Sequence, residues 1–307
     1  MHNIYSFIKH LDLAEDTTNV LLISSMIHSQ NSYYRSFSIP KRKGGERDID
    51  SPYPSLQHVQ KLILDKQLSS IPCFQHSYAF TKNKNAIEHA RFHLGSTELL
   101  TMDIQDYFPS ITKDQVFKAL IENNIAPQYA SFIASLSTLD NKLPQGACTS
   151  PLLSNIVFKP IDVRLNNLAK KLSLKYSRYA DDLAFSGDAI PRNLISIVSK
   201  ILVSYGFEVN GSKCKLKVAG AKKIITGVSI SGNDLKVPKK FKRELRAKIY
   251  ELEKNKEHVF LMPNFDPMIY EKVLGKLNYW LQVEPNCAYA LEKRTLLIKN
   301  YKEFKEE

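Results

Sequence analysis

Apolar residues in the first half of the chain follow two different spacings. Over residues 4–30, 55–69 and 113–137 they recur three or four positions apart, which predicts amphipathic helices. Between residues 34 and 54 the pattern shortens to extended pieces around a glycine-containing turn, as in a hairpin. The segment 98–104 is a short apolar run that reaches an aspartate, and its length indicates a buried strand.

The second half of the chain begins with a long helical pattern at residues 151–172. Residues 174–186 then alternate apolar and polar side chains on both sides of a central Ala-Asp-Asp, which predicts a β-hairpin. A helix is predicted at 191–205, strand fragments follow to about residue 237, and a basic amphipathic helix and a helical tail come after them. Strands in the middle with helices around them favour an α+β chain over βαβ repeats.

Positive charge is concentrated in one part of this pattern. The 307 residues carry a formal net charge of +12, and residues 213–256 hold 14 Lys/Arg against 4 Asp/Glu, a local net of +10. A cluster of that size would hold a phosphate backbone by releasing its counterions. The alternative reading is a solvated helical face that aids solubility.

Cysteine usage and hydropathy exclude several classes of protein. The four cysteines stand far apart without a CxxC motif, so we expect reduced thiols and neither a disulfide framework nor a zinc site. The N-terminus does not read as a signal peptide, and no apolar run approaches the length of a membrane span. We therefore expect a cytoplasmic protein with no membrane partner.

Three aspartates are placed where their carboxylates could meet. Asp103 ends the predicted strand, and Asp181-Asp182 lie at the tip of the predicted hairpin. Bringing two carboxylates to about 4 Å costs roughly 4 kcal/mol at an effective dielectric near 20, so such a cluster requires cations. Oxygen ligands without His or Cys favour Mg²⁺, and two such ions can support phosphoryl transfer. Turn chemistry alone could also explain a lone Asp-Asp pair.

Four segments resemble the conserved blocks of reverse transcriptases, in the order of that family, and the resemblance covers roughly residues 35–235. They are Leu100–Phe108 (LTMDIQDYF), Leu143–Gly146 (LPQG) with Ser150-Pro151, Tyr179–Asp182 (YADD), and Gly206–Asn210 (GFEVN) with Lys213.

The resemblance implies roles for individual residues. Asp103, Asp181 and Asp182 would be catalytic, and Lys213 would protonate the leaving pyrophosphate. Two Mg²⁺ ions would be held by Asp103, Ile104, Asp181 and Asp182. The residues that would bind the incoming dNTP are Lys43, Arg47, Phe108, Gln145 and Gly146, with Phe108 as the steric gate that rejects a 2′-hydroxyl.

Two shorter motifs resemble the retron reverse transcriptases of bacteria. Asn85–His89 (NAIEH) fits their NAxxH box, and Ile225–Gly227 (ITG) departs by one residue from their Val-Thr-Gly. The resemblance implies a structured noncoding RNA as partner, priming from an RNA 2′-hydroxyl, a branched RNA–DNA product (msDNA), and an effector protein in anti-phage defence. The residues expected to bind RNA are Asn85, His89, Thr226, Gly227, Lys239, Lys240, Arg243 and Arg246.

The architecture implied by the resemblance is a right-hand polymerase. Its fingers would comprise 1–97 and 113–142, its palm 98–112 and 143–236 with an antiparallel sheet and the YADD hairpin, and its helical thumb 237–307. Three alternatives stay open: another bacterial reverse transcriptase with conventional priming, of the group II-like or abortive-infection type, an RNA-dependent RNA polymerase, and a non-catalytic RNA-binding scaffold.

Overall fold

The structure is a computed structural model that describes residues 2–41, 44–254 and 266–306. The chain forms two compact units, one of Met1–Lys84 with Leu100–Leu216, the other of Asn85–Leu99 with Lys217–Glu307. None of the helices within the described ranges combines the length and the apolarity needed to cross a bilayer.

The secondary structure is mixed. The helices in chain order are α1 (His2–His10), α2 (Thr17–His28), α3 (Pro54–Ile63), α4 (Ala86–Phe92), α5 (Lys113–Glu122), α6 (Pro127–Ser137), α7 (Ser150–Lys171), α8 (Leu194–Val203), α9 (Lys239–Lys254), α10 (Ile269–Val283) and α11 (Ala288–Glu306). The strands are β1 (Tyr34–Pro40), β2 (Glu46–Pro52), β3 (Glu98–Asp103), β4 (Lys175–Tyr179), β5 (Asp182–Gly187), β6 (Lys215–Lys217), β7 (Ile224–Ile225) and β8 (Val228–Ser229).

A four-stranded sheet organises the first unit. Its strand order is β4-β5-β3-β6, and β4 and β5 form an antiparallel hairpin in which Tyr179 pairs with Asp182. Helix α7 packs against β4, and its first turn contains Pro151, where the missing N–H needs no intrahelical partner. The hydrophobic core between helix and sheet includes Phe158, Phe185 and Phe207, each with no exposed surface.

The predicted helix at 113–137 is two helices. Helix α5 begins with a capping box in which Thr112 and Gln115 satisfy each other's backbone N–H groups. It ends before Asn124, which has a φ of 64°, and Pro127 then starts α6. A left-handed residue and a proline end one helix and start the next, and this is why apolar spacing alone did not show the break.

The second unit combines a small hairpin with helices. Helix α9 turns Leu245, Ile249 and Leu252 inward, each at most 1% exposed, and α10 buries Trp280 completely. Residues 85–97, which the sequence assigned to the fingers, belong to this unit together with the C-terminal residues. The finger, palm and thumb boundaries stay a prediction.

Candidate active site

The turn of the β4–β5 hairpin consists of two residues. Because Tyr179 pairs with Asp182, the loop is Ala180-Asp181. Ala180 has a φ of 54°, a left-handed conformation that costs a residue with a Cβ atom about 1–2 kcal/mol. Strained backbone of this kind persists only where the surrounding structure holds it, and it is concentrated at functional sites.

The end of β3 lies beside this turn. The N–H of Ile104 donates to the Asp181 carbonyl at 2.9 Å, and on the other side the N–H of Asn210 donates to the Asp103 carbonyl at 2.8 Å. Asp103 is 8% exposed. The sheet therefore brings the three predicted carboxylate residues to adjacent positions at one edge.

The carboxylates influence one another electrostatically. Burial raises the pKa of Asp181, and the charge of Asp103 raises it further. Asp182 keeps solvent access, but partial desolvation of its carboxyl, followed by the charges of Asp181 and Asp103, raises its pKa to about 6. Both shifts come first from desolvation and then from neighbouring negative charge, and a bound cation would oppose both effects.

Lys213 neutralises one of these acids. Its Nζ lies 2.8 and 2.9 Å from the two carboxylate oxygens of Asp103. This hydrogen bond raises the pKa of Lys213, so the side chain is protonated, as a general acid must be. Within the residues described, no three His, Cys, Asp or Glu side chains are grouped so that they could hold a metal ion. The all-oxygen donor set nevertheless suits Mg²⁺.

Arg47, one of the predicted nucleotide-binding residues, lies on the β1–β2 hairpin. It is exposed and pairs across the hairpin with Ile39. Its charge reaches the carboxylate site, because it lowers the pKa of Asp181 against the larger effect of burial. Lys43, predicted to act with it, lies outside the described residues.

The segment that contains Gln145 and Gly146 contacts the base of the same hairpin. The N–H of Asp50 donates to the Gln145 carbonyl at 3.0 Å. Gly146 has a φ of 147°, and a Cβ atom there would lie 2.5 Å from the Asp50 carbonyl oxygen. Only glycine allows this contact, which fixes Gln145 at the wall of a cavity of about 560 Å³.

Phe108, the predicted steric gate, is half-buried. Its ring lies 5.4 Å from that of Tyr107 and 6.2 Å from that of Phe80, measured between centroids. These neighbours hold the ring five residues after Asp103, so its position relative to the carboxylates is set by packing as well as by sequence.

The sequence analysis missed a buried ion pair behind the hairpin. Arg178 and Asp162 are both 0% exposed and are joined through two nitrogens and two oxygens. The sequence held a signal of this pair. Arg178 is two residues from Tyr176 in β4, so both side chains lie on the same face of the strand. A charge on a packed face requires a buried partner.

In the second unit, the NAIEH motif forms the start of α4. The Asn85 side chain accepts hydrogen bonds from the N–H groups of Ile87 and Glu88, both at 2.9 Å, and is therefore a helix N-cap. His89 is 1% exposed, and burial lowers its pKa to about 3. The ring presents almost no surface in this structure, and contact between His89 and RNA stays a prediction.

The ITG motif forms the turn of the β7–β8 hairpin. Ile225 pairs with Val228, and the loop residues Thr226 and Gly227 have φ values of 44° and 84°. Two consecutive positive φ values are typical of a type I′ turn. The Thr226 hydroxyl donates to the Ala86 carbonyl of α4 at 2.9 Å. The two short motifs, far apart in sequence, therefore form one structural element.

The basic residues of α9 differ in the contacts they make. Lys239, Lys240 and Arg243 are exposed on the outward face. The guanidinium of Arg246 instead lies over the rings of Trp280 at 5.6 Å and Tyr289 at 4.7 Å. Arg246 is exposed as well, so all four helix residues keep surface that a phosphate backbone could reach, and Arg246 packs on the two rings besides.

More than half of the chain matches one known protein family. The family described as "Reverse transcriptase (RNA-dependent DNA polymerase)" matches residues 39–261. The chain is 31% identical over 260 residues to the Retron Mx162 reverse transcriptase of Myxococcus xanthus, covering 73% of this chain and 54% of that protein. It is 27% identical over 289 residues to the Retron Ec86 reverse transcriptase of Escherichia coli, covering 92% and 85% respectively.

Among solved structures, the chain is similar to telomerase from Candida albicans in complex with a fragment of telomeric RNA. The TM-score is 0.52 at 11% identity, covering 87% of this chain and 63% of that one. The comparisons confirm the predicted α+β right-hand polymerase fold and the resemblance to retron reverse transcriptases. The chain spans about half the length of the Myxococcus relative.

Proposed function

Because this chain belongs to the reverse transcriptase family, we propose that it is an RNA-directed DNA polymerase whose chemistry takes place at Asp103, Asp181 and Asp182. The observation that carries the proposal is the joining of β3 to the hairpin turn through Ile104 and Asp181. It sets two acidic segments, distant in sequence, at one edge of a sheet.

Two Mg²⁺ ions are part of the proposal. The three aspartates, with Ile104 beside Asp103, would hold them, and the raised pKa values of Asp181 and Asp182 support a need for cations there. Bound Mg²⁺ would activate the primer hydroxyl and neutralise the triphosphate.

The chain's own residues would position the substrates. Arg47 would contact the triphosphate through its planar guanidinium, with Lys43 as its predicted partner. Phe108 would exclude a ribose 2′-hydroxyl by its bulk. Lys213 would hand its proton to the leaving pyrophosphate, after exchanging Asp103 for the phosphate.

The biological substrate is proposed from the retron resemblance. We infer that the chain recognises a structured noncoding RNA, primes from a 2′-hydroxyl in it, and produces branched msDNA in the cytoplasm, with an effector protein in anti-phage defence. Similarity to proteins named as retron reverse transcriptases supports this reading over conventional priming.

The deciding experiment examines nucleic acid from cells that express the native locus. RNase treatment, with and without debranching, should leave a discrete short single-stranded DNA that disappears in the Asp181→Asn/Asp182→Asn double variant. If the purified protein extends a primer on RNA but no such DNA is found in cells, the polymerase assignment stands and the assignment as a self-priming retron enzyme is rejected.

Helix α9 offers a matched test of RNA binding. Replacing outward-facing Arg243 with Ala should lower the dependence of log Kd on log salt concentration by about one, because one phosphate contact is lost. Lys242→Ala on the inward face is the control, since Lys242 is paired with Glu284 at 2.7 Å and lies over Trp280. Equal slopes for Arg243→Ala and the wild type would contradict the assignment.

A further inference from the structure

The ion pair behind the catalytic hairpin is built to hold a fixed geometry. Arg178 donates from Nε and Nη2 to the two oxygens of Asp162 at 2.9 and 2.7 Å, and the Tyr176 hydroxyl donates to the same carboxylate at 2.7 Å. Buried ion pairs add little to stability relative to apolar residues of the same volume. This pair therefore calls for a function other than stability.

The remaining nitrogen of the guanidinium points toward the turn. Nη1 of Arg178 donates to the Ala180 carbonyl at 3.1 Å and to the Tyr107 hydroxyl at 2.9 Å. Ala180 is the strained first residue of the two-residue loop, and Asp181 follows it. Tyr107 precedes the steric gate, Phe108, and also donates to the Ser154 carbonyl in α7 at 3.3 Å.

A single planar group thus ties together three segments that must keep their relative positions. Asp162 anchors it to α7, Ala180 joins it to the turn, and Tyr107 joins it to the segment between Asp103 and Phe108. The face of the guanidinium lies over the Phe158 ring at 4.6 Å, which fixes its plane. A lysine ammonium could match neither the fork nor this stacking.

We propose that Arg178, anchored by Asp162, is a positioning residue for polymerisation. It holds the Ala180 carbonyl, and with it the strained turn, so that Asp181 and Asp182 keep their alignment with Asp103, and through Tyr107 it also sets the gate. This inference rests on the proposed chemistry of the three aspartates.

The test compares Arg178→Lys and Tyr107→Phe with Ile133→Ala. Ile133 is fully buried in α6, outside the hairpin and its neighbours, so its truncation reports the effect of lost stability alone. Pre-steady-state dNTP incorporation on an RNA template is measured with primer–template in excess over the protein, and the burst amplitude gives the rate per active site. The KM for dTTP, the dTTP-to-UTP preference and hydrogen exchange of the peptide containing residues 176–186 are measured alongside.

Arg178→Lys should lower the rate per active site about tenfold or more with little change in KM for dTTP, the sign of a contact that acts in the transition state. Its hairpin peptide should exchange faster than in the wild type. Tyr107→Phe, which removes one hydroxyl, should shift the dTTP-to-UTP preference by about threefold, less than the roughly 10–200-fold of a direct substrate contact because Tyr107 acts through the neighbouring Phe108. Ile133→Ala should lower the melting temperature without changing rate, preference or hairpin exchange.

Wild-type rates, preference and hairpin exchange in both Arg178→Lys and Tyr107→Phe would overturn the proposal. If Arg178→Lys gives no folded protein, the dTTP-to-UTP preference of Tyr107→Phe decides, and a wild-type preference overturns the proposal. An Asp181→Asn/Asp182→Asn protein separates the proposed function from the positioning role of Arg178. Full activity there removes the proposed function, whereas inactivity there with unchanged Arg178→Lys and Tyr107→Phe removes only the positioning role.

Discussion

Two hairpins of this chain turn through two residues each, and both place a non-glycine residue in left-handed conformation. In the β4–β5 hairpin, Ala180 at φ 54° is followed by Asp181, and a buried guanidinium holds its carbonyl. In the β7–β8 hairpin, Thr226 at φ 44° is followed by Gly227, and a hydrogen bond from the Thr226 hydroxyl to α4 holds the turn. Glycine at the second position limits the strain of the β7–β8 turn. The β4–β5 turn keeps a charged residue there and is stabilised from outside, which agrees with the catalytic role proposed for it.

The largest effect should come from removing charge from the β4–β5 turn. Asp181→Asn should reduce single-turnover DNA synthesis by about a thousandfold or more, because the proposed two-metal site would lose a charged ligand. Its melting temperature should stay the same or rise, since burial and Asp103 already disfavour the charged form of Asp181. Asp188→Asn, beyond the end of β5, is the matched control. Substantial synthesis by Asp181→Asn would show that the turn is not catalytic.

A smaller effect is expected on the free energy of unfolding at acid pH. It comes from His89 in α4, the helix that the β7–β8 turn contacts. Burial lowers the pKa of His89 to about 3, so the unfolded chain takes up its proton first as the pH falls. The stability that depends on neutral His89 is present above about pH 6.5 and is lost below it, by about 1.4 kcal/mol per pH unit down to the folded pKa. At pH 5 we expect unfolding to cost about 2 kcal/mol less than at pH 7 from this residue alone.

His89→Gln should flatten that part of the curve of unfolding free energy against pH, measured by urea denaturation. His10→Gln, whose imidazole bonds the Ser6 carbonyl at an exposed position, is the control. Identical pH dependence in His89→Gln and the wild type would contradict the burial argument.

Gly227→Ala should produce a loss of about 1 kcal/mol in unfolding free energy, since alanine is strained at positive φ. A Cβ atom there would lie 3.8 Å from the Tyr279 hydroxyl, an ordinary contact, so sterics add nothing. Chemical denaturation measures the loss. A cost of several kcal/mol would mean that the turn packs more tightly than the structure shows.

The opposite sign is expected for Ala180→Gly in the β4–β5 turn. Relief of strain should raise the unfolding free energy by up to about 1 kcal/mol, while the rate per active site should fall a few-fold because glycine loosens the turn. Denaturation and single-turnover assays on the same preparation test both halves. A faster enzyme would show that rigidity of the turn does not serve catalysis.

The sequence predicted the strand before Asp103 from a short apolar run, and the hairpin around Asp181-Asp182 from period-two alternation, because both are local signals. It did not predict the Arg178–Asp162 pair, since pattern analysis counts charged residues as exposed. It also did not show that His89 is buried, because one sequence does not show which face of a short helix is packed. The docking of Thr226 onto α4 joins segments distant in the chain, and local periodicity carries no information on such contacts.

The glycines of the chain should behave very differently in a saturation mutagenesis library selected for DNA synthesis. At Gly146, every other amino acid would bring a Cβ atom into the Asp50 carbonyl and separate the β1–β2 hairpin from Gln145. Gly211 and Gly275 have open space around the missing side chain and no left-handed conformation, so they should accept alanine freely. Such a library would recover only glycine at position 146, and backbone packing is a sufficient cause.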